Sequence, residues 1–176
     1  MTQKSIKDKI KEHFFINPTS KLRFRHLEKL LKLPLPSVIR YCRELEKEEI
    51  LAAKKTGNVV FYTADRSSEK FLLEKKLFNI RQLYTSGFVD YLKSEFHNPV
   101  IVVFGSYSKG EDIEGSDIDL YIETAKKNIN LSKFEKTLNR KIQAFIHKNI
   151  REIANHHLAN NIINGFILNG FFEVLK

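Results

Sequence analysis

The chain has 176 residues, enough for one domain or two small ones. Hydrophobic residues make up 42% and charged residues 29%, an ordinary globular balance with enough apolar material for a core. No run approaches the roughly 18 uncharged apolar residues that a membrane span needs. The opening stretch MTQKSIKDKIKEHFF lacks the apolar core and cleavage site of a signal peptide. These features predict a cytoplasmic protein with no membrane partner.

The net charge of +9 is unevenly placed. Residues 1–66 hold 15 Lys and Arg against 8 Asp and Glu, an excess of seven, while residues 67–98 and 99–176 each hold an excess of one. A basic first third points to a polyanion partner for that part, with a solvated basic face as the plainer alternative. Cys42 is the only cysteine, which excludes an internal disulfide. It falls on an apolar helical face with Val38, Tyr41 and Leu45. With no charge partner evident to lower its pKa, it reads as core and not as a nucleophile.

Residues 5–15 predict a first helix, with Ile6, Ile10 and Phe14 four apart on one face, and Asn17-Pro18 breaks it. A second helix is expected at about 23–32, with Phe24, Leu27, Leu30 and Leu31 spaced for burial. Leu33-Pro34-Leu35-Pro36 is a stiff turn, and Pro36 suits the first turn of a third helix at about 36–49. That helix buries Val38, Tyr41, Cys42 and Leu45 and projects Ser37, Arg40, Arg43 and Glu44. Ile50–Lys55 and Val59–Thr63 then read as two strands about Thr56-Gly57-Asn58, where Gly57 can take a positive φ.

Three helices followed by a hairpin with a basic tip resemble a winged helix-turn-helix of archaeal and bacterial regulators, over about residues 4–65. The resemblance implies DNA binding, with Ser37, Arg40 and Arg43 facing the major groove and Lys54, Lys55 and Asn58 on the wing near phosphates. It also implies a homodimer. The competing reading is a packing or dimerisation module.

Residues 67–95 form a long helical region. Phe71, Leu72, Lys75, Phe78, Asn79 and Gln82 share one side, and Gly87 marks a break. No clean heptad persists, so the region reads as a connector packed between two domains. After Pro99 the period changes. Val100–Phe104 is a continuous run of the kind found in strands buried on both faces. Ile118–Ile122 and Ile142–Ile146 are further strands. Residues 132–139 and about 149–168 read as helices, the second with a core face of Ile153, His157, Ile162–Ile163 and Phe166–Ile167. Phe171–Leu175 reads as a last strand.

The stretch VVFGSYSKGEDIEGSDIDLYIET carries the chemistry. A buried strand ends in Gly105-Ser106, and about ten residues later Asp117-Ile118-Asp119 opens a second strand. Gly105 would let the backbone approach a phosphate closely. Ser106 adds a hydroxyl donor, and amides at the start of a following helix favour negative charge. Asp117 and Asp119, at i and i+2, point to one side and suit Mg²⁺, which prefers oxygen ligands. Lys109 would help neutralise a triphosphate or would be a solvated lysine. Ser116 would orient Asp117 or sit in the turn.

This combination resembles the signature of the minimal nucleotidyltransferases of the DNA polymerase β superfamily. The resemblance implies Mg²⁺ as cofactor and an NTP, with ATP expected, as substrate or ligand. It also implies a third carboxylate on a neighbouring strand that helps deprotonate the attacking hydroxyl. The position that aligns with that acid is Gln143, which is neutral and cannot act as a base. Either two acids suffice, or another acid substitutes (Glu123, Glu135 or Glu152), or transfer is lost while nucleotide binding survives. His147, His156 and His157 show no convincing metal-ligand pattern with the acids.

The expected fold class is α+β: a winged helix-turn-helix at 1–66, a connector at 67–97, and a polymerase β-like nucleotidyltransferase domain with a small mixed sheet at 98–176. The expected function is Mg²⁺-dependent transfer of a nucleoside monophosphate to a hydroxyl on a protein, nucleic acid or small molecule, coupled to DNA binding through residues 1–66. The alternative is a DNA-binding regulator whose nucleotidyltransferase domain senses nucleotide or is degenerate.

Overall fold

The computed structural model describes residues 4–125 and 129–173. Its chain divides into two compact units, Met1–Phe78 and Asn79–Lys176.

In the first unit, helices α1 (Ile6–Ile16), α2 (Phe24–Leu31) and α3 (Leu35–Lys47) precede a hairpin of β1 (Leu51–Thr56) and β2 (Val59–Ala64). The Ser5 hydroxyl accepts from the Asp8 amide and caps α1, with Asp8 favourably placed in the first turn. Pro36 lies in the first turn of α3, where its missing N–H leaves no bond unmade. The hairpin pairs antiparallel from Leu51↔Ala64 to Thr56↔Val59, and Gly57 in its turn takes φ 59°. Leu22 exchanges backbone bonds of 2.9 and 2.8 Å with Tyr62, adding an isolated bridge to the hairpin ahead of α2. Ile10, Phe14, Leu27, Val38, Cys42 and Leu45 are wholly buried and form the core. Burial, with a smaller contribution from Glu46, pushes the Cys42 thiol up to about 12, so it is an inert core residue.

Helix α4 (Glu69–Thr85) runs through the division between the units, and α5 (Phe88–Glu95) follows. Gly87 separates them with φ 74°. Phe71, Lys75, Phe78 and Asn79 lie on the buried side of α4, whereas Leu73 and Leu77 are exposed.

The second unit is built on a four-stranded mixed sheet in the order β5-β4-β3-β6. β3 (Val100–Phe104) is central and antiparallel to β4 (Ile118–Glu123) and to β6 (Phe166–Asn169), while β5 (Ile142–His147) runs parallel to β4. Alternation along β3 and β4 sorts the side chains between two faces. Ile101, Val103, Ile118, Leu120 and Ile122 pack with Phe88 and Leu92 of α5 and with Phe134 of α7 (Ser132–Leu138). On the other face Val102, Phe104 and Tyr121 pack with Ile153 and with Ile162 of α8 (His156–Ile163). Residues 101–104 are all buried, as expected for a strand covered on both sides.

The C-terminal stretch corrects the sequence reading. One helix over 149–168 is replaced by a 3₁₀ turn at Ile150–Glu152, then α8, then strand β6. Two asparagines impose the breaks: Asn149 accepts from the Arg151 amide, and Asn155 accepts from the His157 and Leu158 amides as the N-cap of α8. The helix ends at Asn164, so Phe166 and Ile167 are strand residues on the free edge of β3, and His157 is exposed. The core face of α8 is Leu158, Ala159 and Ile162. Residues 171–173 are not a strand, and 174–175 lie outside the described residues.

Substituting Gly87→Ala forces a side chain into the left-handed region and should destabilise the second unit by about 1 kcal/mol. Urea unfolding checks this, and Gly87→Asn should lose less because asparagine tolerates that conformation.

Candidate functional site

Antiparallel pairing of β3 with β4 sets Phe104 opposite Asp119, and parallel pairing of β4 with β5 sets Asp119 beside Gln143. The chain leaves β3 at Gly105 and turns at once into the short helix α6 (Gly105–Lys109). Gly105 takes φ 70°, and a Cβ built there would collide with the carboxylate of Asp119. The sequence reading gave this glycine the task of admitting a phosphate. The structure shows that it admits Asp119, whose carboxylate lies against the elbow between β3 and α6. Ser106, the next residue, is half-buried, and Lys109 at the end of α6 is exposed.

Asp117 lies one residue before β4 and is exposed, while Asp119 is half-buried. Burial raises the Asp119 carboxyl above its ordinary range, and the negative charge of Asp117 raises it further. The two acids are therefore close enough to repel, which is the electrostatic condition a dication relieves. Ser116 sits in the turn before them: its hydroxyl accepts from the Ile113 amide at 3.0 Å, and its own amide donates to the Ile113 carbonyl at 3.0 Å. A cleft of about 510 Å³ opens beside Asp117, lined among others by Ser132, Lys136 and Lys141.

Gln143 is exposed at the position sequence reasoning chose for it, next to Asp119. The three acids considered as substitutes are engaged elsewhere. Glu123 accepts from the Tyr121 hydroxyl at 2.9 Å and the Ile150 amide at 3.0 Å. Glu135 accepts from the Ile142 amide at 3.1 Å and pairs with Lys141, contacts that hold its carboxyl below the ordinary range. Glu152 accepts from the Lys148 amide at 3.2 Å. Among the described residues no group of three or more His, Cys, Asp or Glu side chains is placed to hold a metal.

Sequence reasoning missed a buried polar cluster behind the acids. Asn79 donates to the Tyr107 carbonyl at 2.9 Å and to Asp112 Oδ1 at 2.7 Å, and Arg140 lies 3.6 Å from Asp112 Oδ2. Asp112 stands in the charged run GEDIEGSD, which reads as a solvated loop. Its partners lie about thirty residues away in either direction, so no local spacing reveals them.

In the first unit, Arg40 and Arg43 on α3 and Lys54, Lys55 and Asn58 on the hairpin are exposed, while Ser37 is half-buried. The Arg40 guanidinium stacks over the Tyr41 ring at 4.4 Å and donates to its hydroxyl at 2.6 Å.

A mixed sheet with a glycine elbow closing its central strand and two nearby carboxylates at the start of the next strand is consistent with a polymerase β-like nucleotidyltransferase fold. The family model described as nucleotidyltransferase domain matches residues 86–169, from the residue before Gly87 to the end of β6. Over those residues the chain is similar to that family. No curated protein and no solved structure matches the chain. No helix of the described residues is long and apolar enough to cross a membrane.

Folding holds the Asp119 carboxyl proton more tightly than the unfolded chain does. The stability it contributes is present below the ordinary carboxylate range, near pH ~4, and is lost as pH rises through the raised value. In metal-free buffer at pH 7, Asp119→Asn should therefore raise the melting temperature of the second unit, by about 1–3 °C. The gain should shrink as the pH is lowered through the carboxylate range. Calorimetry with a chelator reads this directly, and a lower melting temperature at pH 7 would contradict it.

Proposed function

We propose that the second unit binds an NTP with Mg²⁺ at the Gly105 elbow and transfers a nucleoside monophosphate to a hydroxyl acceptor. The observation that carries this reading is the pair Asp117 and Asp119, with Asp119 lodged against Gly105, inside a domain that matches the nucleotidyltransferase family. Two adjacent carboxylates, one with its carboxyl raised by burial and further by the other's charge, fit a hard divalent cation that takes oxygen ligands. When bound, Mg²⁺ would neutralise phosphate charge and favour in-line displacement at the α-phosphorus.

Each residue then has a task. Asp117 and Asp119 hold the cation. The Ser106 hydroxyl donates toward a phosphate oxygen, and Lys109, on its flexible stem, adds positive charge to the triphosphate. The Ser116 hydroxyl keeps the turn before Asp117 closed. The acceptor enters by the cleft beside Asp117, and ATP is the expected nucleotide. The acceptor oxygen bonds to phosphorus, pyrophosphate leaves, and the hydroxyl proton passes to solvent because the neutral Gln143 amide cannot take it. Loss of a positioned base costs roughly 10²–10⁴ in rate, so slow transfer is expected.

The first test is thermal stability with each NTP, with and without Mg²⁺. At a hundredfold over its Kd a nucleotide should stabilise by roughly 2.7 kcal/mol, and Asp117→Ala with Asp119→Ala should abolish the effect. No shift with any nucleotide would overturn the reading. If only the third acid is missing, Gln143→Asp should raise the transfer rate by roughly 10²-fold or more.

A second reading, a nucleotide-sensing regulator, is favoured by Gln143 and by the basic residues of the first unit. Three helices, a hairpin and the Leu22–Tyr62 bridge support a winged helix-turn-helix there, with Arg40 and Arg43 toward a duplex groove and Lys54, Lys55 and Asn58 toward phosphates. Arg40→Ala with Arg43→Ala should abolish duplex binding, and wild-type affinity should fall as salt rises. Gel-shift titration at two salt concentrations measures both, and unchanged binding in the double variant would sink this assignment.

A further inference from the structure

We infer that Arg140 and Asp112 are positioning residues that hold the loop carrying Asp117 in place beside Asp119. The inference rests on the nucleotidyltransferase reading of those two acids and adds residues outside the Gly-Ser and Asp-x-Asp pattern.

The loop between α6 and β4 runs from Gly110 to Asp117, and its backbone leans on one guanidinium. Arg140 Nη1 donates to the Glu114 carbonyl at 2.7 Å and to the Asn139 carbonyl at 3.3 Å, while Nη2 lies 3.6 Å from Asp112 Oδ2. A single planar fork thus reaches a side chain and a carbonyl two residues apart in the same loop, a geometry lysine cannot reproduce. The other Asp112 oxygen accepts from Asn79 at 2.7 Å, and the same Asn79 amide donates to the Tyr107 carbonyl of α6. Both ends of the ion pair are withdrawn from water, with side chains 6% and 1% exposed.

A buried ion pair is seldom more stabilising than an apolar pair of similar volume, because desolvation offsets its attraction. What it supplies is direction. Here that direction serves the acids: the Ile113–Ser116 bonds close the loop between Asp112 and Asp117. Arg140 itself lies two residues before Ile142, where β5 begins, and β5 is the strand beside Asp119. One side chain therefore fixes both the loop of Asp117 and the strand that flanks its partner acid.

The test compares wild type with Arg140→Lys and with the charge-free pair Asp112→Leu/Arg140→Met, which strands no buried charge if Arg140→Lys fails to fold. Two readouts are taken well below each melting temperature: hydrogen exchange of the amides of residues 111–118, and affinity for ATP with Mg²⁺. The expected result is exchange accelerated at 111–118 with the amides of β3 unchanged, together with affinity weakened by roughly tenfold, the effect of about one lost interaction. A purely structural role would leave the affinity of the folded variant untouched. Wild-type exchange and affinity in a folded variant would overturn the inference. If wild type binds no nucleotide, the functional reading falls by itself. Loop exchange then decides only whether the pair holds the loop: local acceleration sustains that contact role, and its absence removes the inference.

Discussion

The close approach of Asp119 to the Gly105 elbow is the constraint on which the site depends. Pairing of Phe104 with Asp119 brings the end of β3 against the start of β4, and a side chain at position 105 would occupy the space of the carboxylate. The glycine is also left-handed, which lets the chain leave a fully buried strand and enter α6 within one residue. Ser106, Lys109 and the two acids are gathered at one end of the sheet by that turn. The packing of α8 and Ile153 on the rest of that sheet face supplies rigidity without covering Asp117.

Electrostatics then distinguishes the two acids from their neighbours. Burial, and then the charge of Asp117, raise the cost of ionising Asp119, a cost that a bound cation would relieve. Beside them stands an amide instead of a third acid, and the neighbouring glutamates are spent on backbone amides and a lysine. On the proposed reading, this arrangement suits holding a metal–nucleotide complex better than fast deprotonation of an acceptor, and a slow transferase and a nucleotide sensor would share the same geometry.

Much of this was legible in the sequence because it is local. Helical spacing placed Ile10, Phe14, Val38 and Leu45 in a core, and the unbroken run at 100–104 announced a strand covered on both faces. Strand alignment even placed Gln143 beside the acids. The C-terminal stretch was misread because apolar residues at 153, 162–163 and 166–167 satisfy a helical period. Asparagine caps and the open edge of β3, which is a tertiary feature, decide otherwise. The approach of Asp119 to Gly105 was not legible. The glycine's need for freedom showed in the motif, but the group filling the space is fixed by cross-strand register. The Asp112–Arg140 pair was invisible for the same reason, since its members meet only once β5 lies beside β4.

Paramagnetic relaxation with Mn²⁺ and ATP on isotope-labelled protein would test the central claim most directly. Signals of Gly105, Ser106 and Asp117–Asp119 should broaden first, with Gln143 close behind, and only when nucleotide accompanies the metal in stoichiometric amount. Broadening centred elsewhere, or none near Asp119, would contradict a metal–nucleotide site at the glycine elbow.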